Sequence, residues 1–334
     1  MRVWIFQTGE PLHCDGGNPR PMRAMNLANF LVERGHQVVL WSSAFYHQEK
    51  RHRSRKFKTI QVNESLVINL IPSCGYNRNI GVGRLVDHAQ LGINLSKLLK
   101  SQFHKLPDVA FVGYPPIEKA AVALSWLKKR GVPSVIDVKD QWPSLFLEPF
   151  PRFIRYFVSV VLLPYFIIGR QAVRDATCLS SMSMEYLEWV SKFSKRELGP
   201  LDNVYPLTVK VNSYEDTELR ETKEWWIQRG VNLMDNRRFC FIGSFMSVFD
   251  FIVIKKAINL LESEDNNFQI VMAGDGGSRK EIKNLFKDLK NVIFPGWIDA
   301  KKIHVLSKYS RGAIIPYKNI DNFTSNIPNK FIDS

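Results

Sequence analysis

Short apolar runs alternate along the chain with helix-length segments that mix apolar and polar residues. In the first half the runs occupy residues 3–6, 36–41, 66–71, 108–112, 134–138 and 176–180. In the second half four more begin at Phe239, Phe268, Asn291 and Arg311, and most of these end in glycine or proline. Buried strands separated by helices are typical of doubly wound parallel sheets. The pattern therefore predicts an α/β fold with two Rossmann-like sheets.

The length and the pattern together predict two domains. At 334 residues the chain can form two cores of ordinary size, and the segment Leu201–Asn212 has the composition of a linker. We place the domains at residues 1–205 and 206–334. The second has about four predicted strands, and its last predicted helix starts only at Phe331. We therefore expect an incomplete second domain in a C-terminally truncated chain.

Two segments have an unusual composition. Residues 153–168 form a very apolar predicted helix, shorter than the ~20 residues that a membrane-spanning helix needs. Residues 50–58 carry six Lys or Arg in nine positions. Together they suit docking on an anionic membrane surface. Two alternatives stay open, namely that the helix is buried in the core of the first domain and that the basic loop is only solvated.

The composition is that of a globular protein with excess positive charge. Hydrophobic residues make up 45% and charged residues 23%, which excludes a mainly disordered chain. The net charge of +14 favours an acidic partner or surface. Nucleic acid is not the expected partner, because the basic run contains no aromatic residue besides Phe57 and no known binding module is recognisable.

Cysteine usage, the N-terminal residues and the histidine spacing add three expectations. The four cysteines show no C-x-x-C spacing, which predicts free thiols in a reducing compartment. The N-terminus runs directly into a predicted strand without the apolar core of a signal peptide. We therefore expect a cytoplasmic protein. The seven histidines lack metal-ligand spacing, so no metal is expected.

Glycines at the ends of predicted strands point to a nucleotide site. Ligands of such sheets bind beyond the carboxyl ends of the strands. A residue without Cβ lets a phosphate approach the backbone, and helix N-termini add partial positive charge. A plain tight turn is the alternative for each. The candidate residues for binding the nucleotide part of a ligand are Gly16, Gly17, Gly243, Gly274 and Gly276, together with Ser244 beside Gly243.

Asp140 is the candidate catalytic carboxylate of the first domain. It follows the predicted strand 134–138 in the sequence Asp140-Gln141-Trp142-Pro143. One interpretation is that its carboxylate contacts a ligand bound at the strand end. The other is that Asp140 caps a helix that Pro143 begins. Both interpretations remain open on the sequence alone.

Five segments of the chain carry motifs of a known family. They are Gly16-Gly17 with Arg20, Val138–Pro143, Gly243-Ser244-Phe245, Gly274-Asp275-Gly276 and Ser325–Asp333. In these segments the chain resembles the retaining glycosyltransferases of the GT-B fold, family 4, of bacterial surface-polysaccharide (O-antigen or capsule) biosynthesis. The resemblance covers nearly the whole chain, and the segment Ser325–Asp333 is its most specific element because it is similar to the family's paired-acid motif.

The resemblance implies that the first domain binds the acceptor and the second a nucleotide sugar. The carboxylate of Asp140 would contact the transferred sugar or orient an acceptor hydroxyl. Asp333 would then accept hydrogen bonds from the ribose hydroxyls, and Ser325 occupies the position of the first acid. Family members usually carry an Arg and a Lys after the strand that ends here at Gly243, but this chain has Ser244–Asp250. Lys330 is our candidate to neutralise the diphosphate in their place. The resemblance implies no protein nucleophile, no required metal and no further cofactor.

The implied acceptor is a lipid-linked saccharide at the cytoplasmic face of a bacterial membrane, where the protein would be peripheral. Two alternatives remain. One is a nucleotide-sugar epimerase with two similar halves, and the other is a truncated, non-catalytic scaffold. Candidate residues for the acceptor or membrane side are His13, His47, Arg51, Arg53 and Arg55.

Overall fold

The computed structural model describes residues 1–16, 21–78, 81–101, 105–148, 150–206, 214–235, 237–262 and 267–319. The chain forms two compact units, Met1–Pro206 and Leu207–Ser334. Each unit contains a parallel sheet with helices between its strands. The predicted α/β class with two Rossmann-like sheets is therefore confirmed.

Unit 1 is built on an eight-stranded sheet and a separate two-stranded hairpin. The sheet order is β10-β9-β8-β7-β1-β2-β6-β5, in which only the edge strand β5 is antiparallel to its neighbour, and β3 pairs with β4 in the hairpin. The strands are β1 Arg2–Phe6, β2 Gln37–Ser43, β3 Phe45–Tyr46, β4 Arg51–His52, β5 Lys58–Asn63, β6 Leu66–Ile71, β7 Val109–Tyr114, β8 Ser134–Val138, β9 Cys178–Ser181 and β10 Asn203–Val204.

Helices cover both faces of this sheet. They are α1 Arg23–Glu33, α2 Val82–Lys100, α3 Ile117–Lys128, a 3₁₀ helix Ser144–Leu147, α4 Arg152–Val161, α5 Leu163–Asp175 and α6 Met184–Ser194. The central strand β1 contributes Val3 and Ile5 to one buried cluster and Trp4 and Phe6 to the other. Because both of its faces are buried, this strand reads in the sequence as a continuous apolar run.

Unit 2 has a smaller sheet of four parallel strands in the order β13-β12-β11-β14. Its elements are α7 Asp216–Ile227, β11 Arg238–Ile242, α8 Phe251–Glu262, β12 Gln269–Ala273, α9 Arg279–Leu285, β13 Val292–Gly296, α10 Ala300–Lys308 and β14 Gly312–Ala313. The predicted strand that begins at Arg311 is thus reduced to two residues.

The predicted single helix at 153–168 is wrong. The structure has two helices there, α4 and α5, bent by 70° relative to each other. Pro164 lies in the first turn of α5, where its missing N–H needs no partner, but it cannot continue the hydrogen bonding of α4. Within the part of the chain that the structure describes, no single helix has the length and hydropathy to cross a membrane.

Candidate functional site

A cavity of about 260 Å³ opens at the carboxyl-terminal edge of the sheet of unit 1. Its walls come from the loops that follow β1, β6, β7 and β8, from residues 43–47 around β3 and from one side of α2. Since parallel strands end at the same edge, residues far apart in the sequence meet here. The lining includes the predicted residues Asp140 and His47, together with Gln7, Glu10, Tyr76, Arg84, Asp87, His88 and Lys139.

Helix α2 supplies the polar side of the cavity. Arg84, Asp87 and His88 are spaced three and four positions apart, so they share one face of the helix. The guanidinium of Arg84 lies 4.9 Å from the ring centre of Trp142. The ring of His88 lies 5.6 Å from that of Trp142, centre to centre. These residues were not predicted from the sequence, although a polar triplet with helical spacing in the first turns of a predicted helix was a usable signal.

Asp140 lies half-buried in the cavity wall directly after β8. Burial raises the pKa of its carboxyl group to about 6, although the positive charges of Arg84 and Lys139 act in the opposite direction. The 3₁₀ helix that follows has Pro143 at its cap position, which makes no side-chain hydrogen bond within the described chain. The interpretation that Asp140 caps this helix is therefore not supported.

The two histidines of the cavity are neutral near pH 7. The Tyr76 hydroxyl donates to Nδ1 of His47 over 2.6 Å, and the ammonium group of Lys50 donates to the same nitrogen over 3.1 Å. Burial, followed by the charges of Lys50 and Arg84, lowers the pKa of His47 to about 4. Burial likewise lowers the pKa of His88 to about 3. The cations that face the cavity are therefore lysine and arginine side chains.

Two buried lysine contacts hold the strand ends that form the cavity. Lys139 pairs with Glu10, whose other oxygen accepts the backbone N–H of Ala24 over 2.9 Å. Lys119 donates to the carbonyl oxygens of Phe6 at 3.0 Å and Gly113 at 2.6 Å. These contacts join the ends of β1, β7 and β8, so the cavity walls are fixed by the fold itself.

Arg53 lies inside unit 1, not on its surface. Its side chain is only 3% exposed and pairs with Asp15 through Nε at 2.7 Å and Nη2 at 2.6 Å. It also donates to the backbone oxygens of Ser43 and Glu10, each over 3.1 Å. A contact of Arg53 with an acceptor or a membrane surface is not compatible with this burial. Arg51 and Arg55 are exposed.

The loop after β1 carries two more predicted residues, His13 and Gly16. His13 Nε2 donates to Oδ1 of Asn29 over 2.7 Å, which holds the imidazole against α1. A Cβ added at Gly16 would meet no atom within 4 Å. Packing against the described residues therefore does not explain the glycine. Gly17 lies outside the described residues.

In unit 2 the predicted glycines bring two strand-end loops into close contact. Gly243, Gly274 and Gly276 have φ angles of 152°, 144° and 156°. A Cβ on Gly274 would lie 1.8 Å from the oxygen of Gly243, and a Cβ on Gly276 would lie 2.5 Å from the oxygen of Phe245. Loop packing alone thus requires Gly274 and Gly276. Ser244 is exposed in the first of these loops.

The Gly274→Ala variant should unfold more easily than the wild type. The new Cβ would meet a backbone oxygen, and the positive φ is strained for alanine, so we expect a loss of about 2 kcal/mol or more. Gly277→Ala is the matched control, because a Cβ there would meet nothing within 4 Å. Urea denaturation measures both variants, and equal stability of the two would contradict this explanation of the glycine.

The start of α8 and the end of β13 complete the carboxyl edge of unit 2. The carboxylate of Asp250 accepts the N–H groups of Ile252 at 3.1 Å and Val253 at 3.2 Å, which caps α8. Trp297, 74% exposed, directly follows Gly296 at the end of β13. The oxygen of Gly296 accepts the N–H of Gly274 over 2.8 Å. Trp297 was not among the site residues predicted from the sequence, although it follows a predicted strand-end glycine.

The remaining candidates, Ser325, Lys330 and Asp333, lie outside the described residues, and their roles stay predictions. Among the residues that are described, no group of three or more His, Cys, Asp or Glu side chains is arranged to hold a metal ion. All four cysteines are free thiols.

Comparison with known proteins shows the fold. No family model and no curated protein sequence matches the chain. Among solved structures, Alr3699/HepE of Anabaena in complex with UDP is 11% identical with a TM-score of 0.55, and the match covers 93% of this chain and 72% of that one. WaaG, a glycosyltransferase involved in lipopolysaccharide biosynthesis, is 14% identical with a TM-score of 0.52 and coverages of 91% and 72%. The predicted GT-B architecture is confirmed.

Proposed function

We propose that this protein is a glycosyltransferase that moves a sugar from a nucleotide-sugar donor to a lipid-linked saccharide, in the synthesis of a bacterial surface polysaccharide. The observation that carries the proposal is the polar cavity at the strand ends of unit 1, on a fold shared with HepE and WaaG. The HepE structures contain UDP, UDP with glucose, or UDP-glucose, which supports a nucleotide-sugar donor.

We assign the cavity of unit 1 to the acceptor end of the reaction. Its volume of about 260 Å³ is below the roughly 300–1,000 Å³ of sites for drug-sized ligands, so it suits a single sugar unit. The carboxylate of Asp140 would accept a hydrogen bond from a sugar hydroxyl, and charged acceptors bind such donors more strongly than neutral ones. Arg84 and Lys139 would hold negative charge that approaches the cavity.

We assign the donor to the carboxyl edge of unit 2. Gly243 and Ser244 lie in the first strand-end loop there, and Gly274 and Gly276 lie in the second. Backbone N–H groups in such loops bind phosphate oxygens without a cation. The exposed ring of Trp297 offers a surface on which a nucleobase can stack. Asp333 and Lys330 keep their proposed roles at the ribose and the diphosphate.

The proposed reaction proceeds with retention and without a protein nucleophile. The acceptor oxygen attacks the anomeric carbon on the face from which the nucleoside diphosphate departs. The bond from that carbon to the phosphate oxygen breaks as the new glycosidic bond forms, and the acceptor's proton passes to a phosphate oxygen. The protein contributes charges and N–H groups that are oriented before the reaction, and such preorganised groups usually lower the activation barrier more than any other effect.

A transfer assay tests the proposal. The full chain is incubated with a panel of nucleotide sugars, with and without a lipid-linked saccharide extracted from bacterial membranes. We expect a glycosylated lipid and free nucleoside diphosphate only when the acceptor is present, with the donor's anomeric configuration kept. Conversion of a nucleotide sugar without acceptor would instead establish an epimerase. Calorimetry that detects no binding of any nucleotide would favour the scaffold.

A further inference from the structure

Helix α4 presents large apolar side chains to solvent. Phe153, Tyr156, Phe157 and Val161 are between 69% and 77% exposed, and Val160 is 56% exposed. None of the ten residues of α4 is buried. Leu163 and Ile167 of α5 are also exposed. We call these seven residues the apolar ridge. An exposed apolar surface of this kind on a folded unit marks an interaction site.

The apolar ridge lies in a segment without negative charge. Residues 150–174 contain no Asp or Glu, and they carry Arg152, Arg155, Arg170 and Arg174. The guanidinium of Arg155 donates through Nε to the oxygen of Phe150 over 2.8 Å, which keeps its charge at the N-terminal end of α4. A second copy of the chain would bring the same arginines together, and their repulsion opposes self-association. An anionic lipid surface, in contrast, complements both the arginines and the apolar side chains.

We propose that the apolar ridge docks unit 1 on an anionic membrane, with α4 lying flat in the headgroup region. A strongly amphipathic helix binds in this way, with aromatic and aliphatic side chains at the acyl boundary and arginines among the headgroups. Tyr156 suits the position because tyrosine is enriched at membrane–water interfaces. The 70° bend after α4 turns the chain away from the helix axis, so α4 and α5 do not form one straight span.

The docking surface is connected to the cavity by aromatic contacts inside unit 1. The ring centre of Tyr165 on α5 lies 6.5 Å from that of Phe146, and Phe146 lies 4.6 Å from Trp142. Trp142 in turn contacts His88 in the cavity wall, at 5.6 Å between ring centres. Docking would therefore hold the cavity at a fixed position relative to the lipid surface. This step rests on the proposed function, whereas the docking itself does not.

Vesicle flotation tests the docking. The full chain is mixed with vesicles of phosphatidylcholine alone or with phosphatidylglycerol at about a third of the lipid, which gives an anionic surface. We expect the wild type to float only with the anionic vesicles, and less so at high salt. The double variant Phe153→Ser/Phe157→Ser should bind about tenfold less, because both side chains leave the acyl boundary. Arg152→Gln should bind about fivefold less at low salt.

The control is the double variant Ile252→Ser/Val253→Ser, which removes two apolar side chains that are 58% and 56% exposed on α8 of unit 2. It should float like the wild type. Undiminished flotation of the Phe153→Ser/Phe157→Ser variant would overturn the proposal. Equal flotation of the wild type with neutral and anionic vesicles would also overturn it. A wild-type dimer that the Phe153→Ser/Phe157→Ser variant turns into a monomer would show that a second copy covers the ridge.

A second readout separates docking from catalysis. With a short-chain, water-soluble acceptor, the Phe153→Ser/Phe157→Ser variant should transfer sugar at the wild-type rate. With the lipid-linked acceptor in anionic vesicles, its rate should fall about tenfold in parallel with the loss of flotation. If the wild type floats but transfers no sugar to either acceptor, the proposed function fails while the docking surface stands.

Discussion

Replacing Asp140 with asparagine is expected to reduce sugar transfer by about 10²- to 10³-fold, the usual cost of removing one oriented polar group from an active site. The carboxylate lies in the cavity wall at the end of β8, where a sugar hydroxyl would donate to it. The amide keeps the shape but loses the charge. Donor binding, measured by calorimetry, should stay unchanged, because we assign the donor to unit 2. A normal transfer rate would remove Asp140 from the reaction.

The pH dependence of transfer follows from the same carboxylate. Burial raises the pKa of Asp140 to about 6. The wild-type transfer rate should therefore fall as the pH decreases through 6, because protonation removes the charged acceptor. The Asp140→Asn variant should lack this step.

The thermal stability of Asp140→Asn shows whether its loss of activity comes from the missing charge or from unfolding. In the unfolded chain an aspartate has a pKa of about 3.9, lower than that of Asp140 in the folded protein. The contribution of Asp140 to the free energy of unfolding is therefore fully present below pH ~4 and is lost as the pH rises through 6. At pH 8 the asparagine variant should melt at or above the wild-type temperature. A lower melting temperature would attribute the loss of activity to misfolding. Asp288→Asn, on an exposed position of unit 2, is the control.

The Arg53→Ala variant should lower the free energy of unfolding by about 3–5 kcal/mol, because it leaves the buried carboxylate of Asp15 without its partner. Arg51→Ala and Arg55→Ala remove the same type of side chain from exposed positions of the same segment, and should change stability by about 0.5 kcal/mol or less. Urea denaturation at pH 7 measures all three. Equal effects would mean that the contact between Arg53 and Asp15 contributes little.

Acid should reduce the difference in the free energy of unfolding between Arg53→Ala and the wild type. Burial alone would raise the pKa of Asp15, but hydrogen bonds from Arg53 and the backbone of Leu12 outweigh it and hold the pKa below its usual value. The stability from this pair is therefore present above the unfolded pKa of about 3.9 and is lost as the pH falls through the lowered folded value. Without Arg53, burial raises the pKa of Asp15, so acid relieves the cost of the unpaired charge. Adding Asp15→Asn to Arg53→Ala should restore part of the stability.

The sheets were predictable because strands that are buried on both faces appear in the sequence as continuous apolar runs. The runs at 66–71 and 134–138 coincide with β6 and β8, residue for residue. The apolar helix was harder, since its composition suits both a core helix and a surface helix. Periodicity alone does not tell which face packs, and Pro164 at the second position of α5 was the sign of the break. The structure places α4 at the surface, contrary to the alternative of a buried core helix.

The residues of the candidate site were predictable only where they come shortly after the end of a strand. Asp140 and His47 come shortly after strands β8 and β3 and line the cavity. Arg84 and His88 come from a helix, where no strand end marks them. Arg53 lies within a basic run in the sequence, and only its contact with Asp15, 38 positions earlier, shows that it is structural. Gly274 and Gly276 of unit 2 were predicted from their position at strand ends to bind phosphate. Loop packing alone requires glycine at both positions, so their presence in the sequence does not by itself indicate phosphate binding.

The buried amine of Lys119 makes this lysine of α3 an internal reporter of local opening around the ends of β1 and β7. Its Nζ donates to main-chain oxygens of β1 and β7, and the side chain is fully enclosed. Amine-reactive reagents such as succinimidyl esters would acylate surface lysines and spare this one. Acylation at Lys119, detected by peptide mass mapping, would therefore require that α3 detaches from the sheet or that β1 separates from β7, and its rate would follow the free energy of that local opening.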